Sequence, residues 1–304
     1  MRVLVIGANG LVGSRLVTAL DRGGHDVTAV ARGVSRHPRE RVPFVSAELG
    51  DAEALASAVS TANPDVIVNT AAMTDVDGCE RAPQKAFEAN VSGVATLARL
   101  AREKGAHLVH VSTDYVFDGE AGPYAPDAVP NPRGVYALTK HMGEQAVRAL
   151  CEAGRWTIAR TAVVYGWPPA GQKNFGSWLA ESLEKGQAVK LFADQWVSPS
   201  SALNVAEMLF ELSTRRLEGI WHTCGAEVVD RVTFGRRLCE VFGFDPSLVT
   251  PSLMSEVKLL SPRPKKSGLD VQKTARELGA VPWSLTTSLE RFLEEFRGQD
   301  GGQR

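Results

Sequence analysis

The run Gly7-Ala8-Asn9-Gly10-Leu11-Val12-Gly13 follows the apolar stretch Arg2 to Ile6 and opens an amphipathic stretch from Leu11 to Asp21; its reading decides the fold class. Glycine is required where a chain turns tightly out of a strand, where backbone must come close to a phosphate, and where a helix packs tightly on a strand. Gly7, Gly10 and Gly13 meet these needs in turn. The first turn of a helix has unpaired N–H groups and the positive end of its dipole, so Leu11, Val12 and Gly13 would offer donors to a pyrophosphate. Glycine turns are common, and this one gains its weight from the strand–turn–helix context.

Outward from that turn the pattern repeats. Val27 to Ala31, Val66 to Asn69, Leu108 to Ser112 and Thr157 to Arg160 read as buried strands, and Ala52 to Ala62, Glu80 to Glu103 and Val135 to Glu152 as helices. Strands alternating with such helices predict right-handed βαβ units and a parallel sheet. After Tyr165 the rhythm changes: a Pro168-Pro169-Ala170-Gly171 loop, a helix over Phe175 to Lys185 and a short strand over Val189 to Phe192 come first. Helical patterns then follow at Val205 to Thr214, Thr233 to Val241, Val271 to Leu278 and Leu285 to Phe296, with an irregular loop at Leu260 to Ser267. The expected class is α/β: a Rossmann-type doubly wound parallel sheet over residues 1–165, its core continuing into part of the C-terminal half. A smaller C-terminal α/β substrate lobe is expected over 166–297, and a disordered tail over 298–304.

Composition narrows the partners. The 304 residues are 44% hydrophobic and 23% charged, with a net charge of −1 and no long basic run. A nucleic-acid or membrane-surface partner would need a concentrated basic face. Cys79, Cys151, Cys224 and Cys239 lack close spacing, so neither a zinc cluster nor a disulfide framework is suggested. No signal-peptide pattern and no bilayer-length apolar stretch is visible, which leads us to expect a cytoplasmic protein acting on a small molecule, with a homodimer left open.

The end of the second strand bears on which dinucleotide fits the glycine turn. A carboxylate there would hold a ribose 2′-hydroxyl, whereas a basic residue accommodates a 2′-phosphate. The chain reads Val30-Ala31-Arg32-Gly33, then Ser35 and Arg36, with no carboxylate between Val27 and Pro38. Arg32 can grip a phosphate with two donors; the plainer reading has it capping a solvated strand end. NADPH is expected, with NADH the less favoured cofactor.

Tyr136 and Lys140 lie one helical turn apart and so share a face. A nearby cation lowers a phenol's pKa and makes it a usable acid or base. The strand over Leu108 to Ser112 ends in Ser112-Thr113-Asp114-Tyr115-Val116-Phe117-Asp118-Gly119. Ligands of open parallel sheets bind beyond the carboxyl ends of the strands, where Thr113 would donate to a substrate oxygen. The structural alternative for Ser112 and Thr113 is simple strand termination.

Together the glycine turn, the strand-end threonine and Tyr-x-x-x-Lys resemble the extended short-chain dehydrogenase/reductases. More narrowly, Asn69 to Asp77, Ser112 to Gly119, Asp194-Gln195 and Arg263 to Asp270 are similar to the dTDP-4-dehydrorhamnose reductase family. That resemblance implies reduction of the C4 ketone of a nucleotide-diphospho-sugar, with Thr113, Tyr136 and Lys140 as catalytic residues. It implies adenine contacts from Glu48 and Leu49, further cofactor contacts from Asn9, Ala71 and Ala72, and substrate contacts from Thr74, Val76, Asp114, Tyr115, Asn174 and Gln195. Arg263, with Lys265 beside it, would meet the diphosphate. One departure stands out: in Arg160-Thr161-Ala162-Val163-Val164-Tyr165 the family often has Trp at the position of Val163, so Trp167 or Trp178 would have to supply a sugar-stacking ring. Two alternatives stay open: an epimerase or dehydratase using Asp114 and Tyr115, and a non-catalytic regulatory subunit like that of methionine adenosyltransferase.

Other polar residues read as structural. Asp77 and Glu80 fit a helix-start pair, Asp118-Gly119 a turn, and Asn90 a helix residue bonded to nearby backbone. His107 and His110 stand three apart on a strand, hence on opposite faces, and make a poor metal pair. No metal site is expected.

Overall fold

The computed structural model describes residues 1–36, 41–169 and 173–300. Strand β1 (Arg2–Ile6) enters helix α1 (Leu11–Arg22) through the glycine turn. The chain continues through β2 (Asp26–Ala31), β3 (Phe44–Ser46), α2 (Ala52–Ala62), β4 (Val66–Asn69), α3 (Val76–Arg81), α4 (Pro83–Phe87), α5 (Val94–Lys104), β5 (His107–Thr113), α6 (Gly134–Leu150) and β6 (Trp156–Thr161). The later half adds β7 (Val164–Tyr165), α7 (Phe175–Glu184), β8 (Val189–Phe192), β9 (Trp196–Val197), β10 (Ser200–Ser201), α8 (Ala202–Arg215) and β11 (Gly219–His222). It closes with β12 (Val229–Asp230), α9 (Arg231–Phe242), β13 (Val249–Ser252), α10 (Gln272–Glu277) and α11 (Leu285–Asp300).

Seven parallel strands form the central sheet in the order β11-β6-β5-β4-β1-β2-β3. The chain order reverses between β1 and β4, and the glycine turn leaves the sheet there, at the position where such sheets bind ligands. Register pairs Ile6 with Val30 and with Asn69, and Thr113 with Thr161, so the carboxyl ends of these strands line one edge. Strand side chains alternate between faces. Val3 and Val5 therefore join Leu16, Leu20, Val205 and Leu209 under α1 and α8, while Leu4 and Ile6 join Leu55, Leu97 and Val147 under α2, α5 and α6. Both faces are covered, which is why the strands read as continuous apolar runs. A separate cluster, including Tyr165, Leu179, Phe234 and Phe292, forms a second core among residues of the C-terminal half.

Three local readings are corrected. The stretch Glu80 to Glu103 is not one helix. It breaks at Pro83, which lacks the N–H an uninterrupted helix needs, and resumes through a π-helical turn at Glu88–Gly93. The helix-start pair is displaced: Asp75, not Asp77, caps α3 by accepting from Gly78 N at 2.9 Å. Asp77 and Glu80 instead hold the distant residue Ser261, whose N–H and hydroxyl they accept at 3.2 and 2.8 Å. Helix α11 continues through Asp300, so residues 298–300 of the expected tail are helical; the rest of that tail lies outside the described residues. Short strands β3 and β11 were not evident from three or four residues of pattern.

His107 and His110 are each engaged, with the Thr157 hydroxyl at 2.7 Å and with Asn69 Nδ2 at 3.1 Å. Asp118 accepts from Glu120 N and the Tyr124 hydroxyl beside Gly119, making the expected turn. The four cysteines are free. No helix of the described residues is long and apolar enough to cross a membrane, and no group of three or more His, Cys, Asp or Glu gathers there to hold a metal ion.

Helix α6 is pinned to β6 by a buried ion pair. Arg160 Nε and Nη2 donate to the two carboxylate oxygens of Glu144 at 2.9 and 2.8 Å, with both side chains at most 2% exposed. Arg160 Nη1 donates to the Pro126 carbonyl at 3.2 Å, and the guanidinium lies 5.0 Å from the Phe117 ring centroid. Burial alone would raise the Glu144 carboxyl; Arg160, together with His141 and Ser112, more than reverses this and holds it at about 2. Breaking such a pair leaves a charge buried without its partner, whereas replacing both partners with apolar residues does not. Glu144→Gln should therefore destabilise the fold by about 3–5 kcal/mol in urea titration, with Glu144→Leu/Arg160→Met recovering much of the loss. A single-variant loss below about 1 kcal/mol would contradict this role.

Candidate active site

The glycine turn is tightly built. Gly7 sits at φ +87° and its N–H donates to Val30 O at 2.8 Å. A side chain at Gly13 would overlap the Gly7 carbonyl oxygen and come within 2.7 Å of Thr70 Oγ1, so α1 can approach β1 only without one. Gly10 gives α1 no side-chain cap, leaving the first-turn N–H groups of Leu11, Val12 and Gly13 facing outward along the helix axis. This cradle fits a pyrophosphate. Asn9 has a role that the spacing did not reveal. Its Nδ2 donates to Arg32 O and Val34 O at 3.1 and 2.8 Å, and its Oδ1 accepts from Arg36 N at 2.9 Å. The glycine turn thus braces the loop that presents Arg32, whose side chain is exposed. Glu48 is exposed beyond β3, while Leu49 is buried, its carbonyl against Gly93. Ala71 and Ala72 follow β4, with Ala71 N donating to Asn69 Oδ1 at 3.1 Å.

The structure brings Thr113, Tyr136 and Lys140 together. Thr113 ends β5; Tyr136 and Lys140 stand on the inward face of α6, both buried. Tyr136 stands close to Thr113, and the Tyr115 ring meets Tyr136 edge-on at 5.5 Å between centroids. Lys140 Nζ donates to Val111 O at 2.7 Å. Burial lowers Lys140 to about 8, partly offset by Glu144 one turn on. The expected lowering of the phenol by the ammonium does not dominate here: burial does, and it raises the Tyr136 pKa well above its usual value. The lysine is turned toward Val111. A phenol so placed holds its proton, as a proton donor must.

Beside this trio lies a cavity of about 300 Å3, lined among others by Tyr115, Phe175, Trp178, Gln195, Arg231 and Arg263. Arg231 Nε donates to Gln195 Oε1 at 3.0 Å and its guanidinium stacks 4.4 Å from the Phe175 centroid, while its Nη1 is buried with no partner among the described residues. Arg263 reaches Asp77 Oδ1 at 3.0 Å and Ser261 O at 3.0 Å. The sequence reading missed Arg231, Phe175 and the position of Trp178. One signal was present: Arg231 is the first residue of α9, where the helix dipole disfavours a cation that has no other employment.

Other expected contacts are distributed differently. Val76 packs in the cluster around Tyr136, whereas Thr74 is exposed on the loop before α3. Asn174 caps α7 through Ser177 N at 3.1 Å and donates to Gly166 O at 2.8 Å. Trp167 packs on Phe296 within the lobe, so of the two tryptophans it is Trp178 that faces the cavity. Asp114 is buried against Thr113 and Ser267. Val163 adopts φ +41°, a conformation that a β-branched residue rarely takes, held by Ser200 N on its carbonyl and Ser200 Oγ on Ala162 O.

Known proteins are similar to this chain in sequence and fold. The chain is 36% identical over 97% of its length to a protein of Haloferax volcanii described as a probable low-salt glycan biosynthesis reductase, covering 98% of that protein. It is 35% identical to a dTDP-4-dehydrorhamnose reductase of Streptomyces griseus, over 88% of this chain and 85% of that one. The crystal structure of dTDP-4-dehydrorhamnose reductase from Bacillus anthracis in complex with NADP superposes with a TM-score of 0.84 at 26% identity, covering 97% of this chain and 99% of that one. Residues 1–298 match the RmlD substrate binding domain model, and the chain belongs to that family.

Proposed function

We propose that this protein is an NADPH-dependent reductase of a nucleotide-linked 4-keto-6-deoxy sugar. The observation that carries the reading is the meeting of a buried, protonated Tyr136 with Thr113 and Lys140 at the sheet's carboxyl edge, between the glycine cradle and an arginine-bearing cavity. The first-turn N–H groups of α1 would hold the cofactor's pyrophosphate and Arg32 its 2′-phosphate, with Lys140 at the nicotinamide ribose. When bound, NADPH supplies a hydride to the ketone carbon. Tyr136 gives its proton to the alkoxide oxygen as that charge develops, and Thr113 polarises the same oxygen by donating to it. Arg231 and Arg263 take the substrate diphosphate, and Phe175 and Trp178 offer rings to the base. Free cysteines and a near-neutral charge balance fit a small-molecule enzyme of a reducing compartment.

NADPH oxidation followed against a panel of nucleotide-linked 4-keto-6-deoxy sugars should be stoichiometric with product. Tyr136→Phe should lower kcat by about 10²–10⁴ while retaining cofactor affinity. Turnover without net NADPH consumption, or an active Phe variant, would refute the reading. Arg32→Ala should reduce the preference for NADPH over NADH in kcat/KM by about tenfold or more, the worth of a bond to a charged group; an unchanged ratio would remove Arg32 from the cofactor site. Arg231→Ala should raise KM for the nucleotide sugar by about tenfold with a smaller effect on kcat. If its KM matches the parent enzyme, the diphosphate lies elsewhere.

A further inference from the structure

The Thr113 hydroxyl has one hydrogen and two lone pairs, and each can be followed. Its hydrogen is donated to Asp114 Oδ1 at 3.1 Å and one lone pair accepts the Tyr115 N–H at 3.2 Å, with Tyr136 standing close by. Asp114 is 1% exposed, and its Oδ2 accepts the Ser267 hydroxyl at 2.6 Å. A carboxylate only accepts. While Asp114 is ionised, the Thr113 hydrogen is therefore drawn away from any substrate oxygen. A ketone that engages the Tyr136 hydroxyl leaves the second lone pair of Thr113 open to another donor. A protonated Asp114 can donate to that lone pair, and the Thr113 hydrogen then turns to the ketone.

We propose that Asp114 is a positioning residue that sets the direction of the Thr113 hydroxyl, its acid form aiming that hydrogen at the substrate ketone and its anion withdrawing it. The inference rests on the ketone-reductase reading above. It also assigns Asp114 a different part from a dehydratase acid, since both carboxyl oxygens are engaged by protein hydroxyls.

The groups around Asp114 are Thr113, Tyr115 and Tyr136 on the sheet edge and α6, Cys224 after β11, Ser267 on the late loop, and Arg231 on α9. Burial is the largest influence and raises the carboxyl to about 6; the bonds from Ser267 and Thr113 and the charge of Arg231 oppose it. The competent acid form is present below that value and is lost as pH rises through it. A diphosphate on Arg231 would neutralise one opposing charge, so kcat should fall at higher pH than kcat/KM.

Asparagine reproduces the acid form, with its amide NH2 toward Thr113 and its carbonyl toward Ser267. Asp114→Asn should flatten the fall in kcat/KM above pH about 6 and raise kcat/KM about tenfold at pH 7, the expected deficit one unit above the pKa. Ser267→Ala, which removes a bond favouring the anion, should move the wild-type fall to higher pH, and this holds even if the asparagine variant folds poorly. Infrared spectra of the ligand-free protein should show a carboxylic-acid band absent from Asp114→Asn, titrating near pH 6 and shifted upward by Ser267→Ala. An asparagine variant with turnover abolished at every pH, or with the wild-type fall intact, would overturn the proposal, as would an infrared band that does not move. A wild type with no turnover on any 4-keto sugar would instead refute the reductase reading, and this inference with it.

Discussion

The pairing of Glu144 with Arg160 is the constraint on which the site depends. Two parallel hydrogen bonds in a dry interior tie the middle of α6 to β6, and β6 is in register with the strand that ends at Thr113. Tyr136 and Lys140 lie two turns and one turn before Glu144 on the same helix face, so the position of the phenol relative to Thr113 follows from that tie. The pair also leaves a carboxylate one turn from a buried ammonium, and Glu144 is what favours the charged form of Lys140 there. A single buried contact thus serves geometry and electrostatics together.

Burial is the second theme. It raises Tyr136, lowers Lys140 and raises Asp114, in each case by disfavouring the charged form. The outcome is a phenol that keeps its proton beside a lysine whose titration falls near neutral pH. That combination suits proton donation to an alkoxide better than proton abstraction from an alcohol. The cavity beyond it has the opposite character, with an arginine nitrogen that has no partner among the described residues against an aromatic wall. On the proposed reading, chemistry and substrate anchoring are therefore separated along the carboxyl edge of the sheet.

Much of this was legible in the residues. The glycine turn was readable because only glycine tolerates the Gly7 conformation and the Gly7–Gly13 approach, and the Tyr136–Lys140 spacing because helix periodicity forces a shared face. The long strands were readable because both their faces are covered. What was not legible depends on contacts distant in sequence. Asn9 reads as part of a phosphate loop until Arg32 and Arg36 are seen folded over it. Asp77 and Glu80 read as a cap, but both hold Ser261, over 180 residues away. Strand β11 is four residues long and gains its identity only from β6 beside it. The phenol's pKa was misjudged because spacing shows which groups share a face and not where an ammonium is turned.

On the proposed reading these residues carry a net hydride transfer to a sugar ketone. The most direct measurement uses NADPH deuterated at the transferring position of its nicotinamide, with a nucleotide-linked 4-keto-6-deoxy sugar, and locates the label by NMR. Deuterium is expected on C4 of the product sugar, with one oxidised cofactor per product. Label retained on the cofactor while the sugar is isomerised or dehydrated would contradict it.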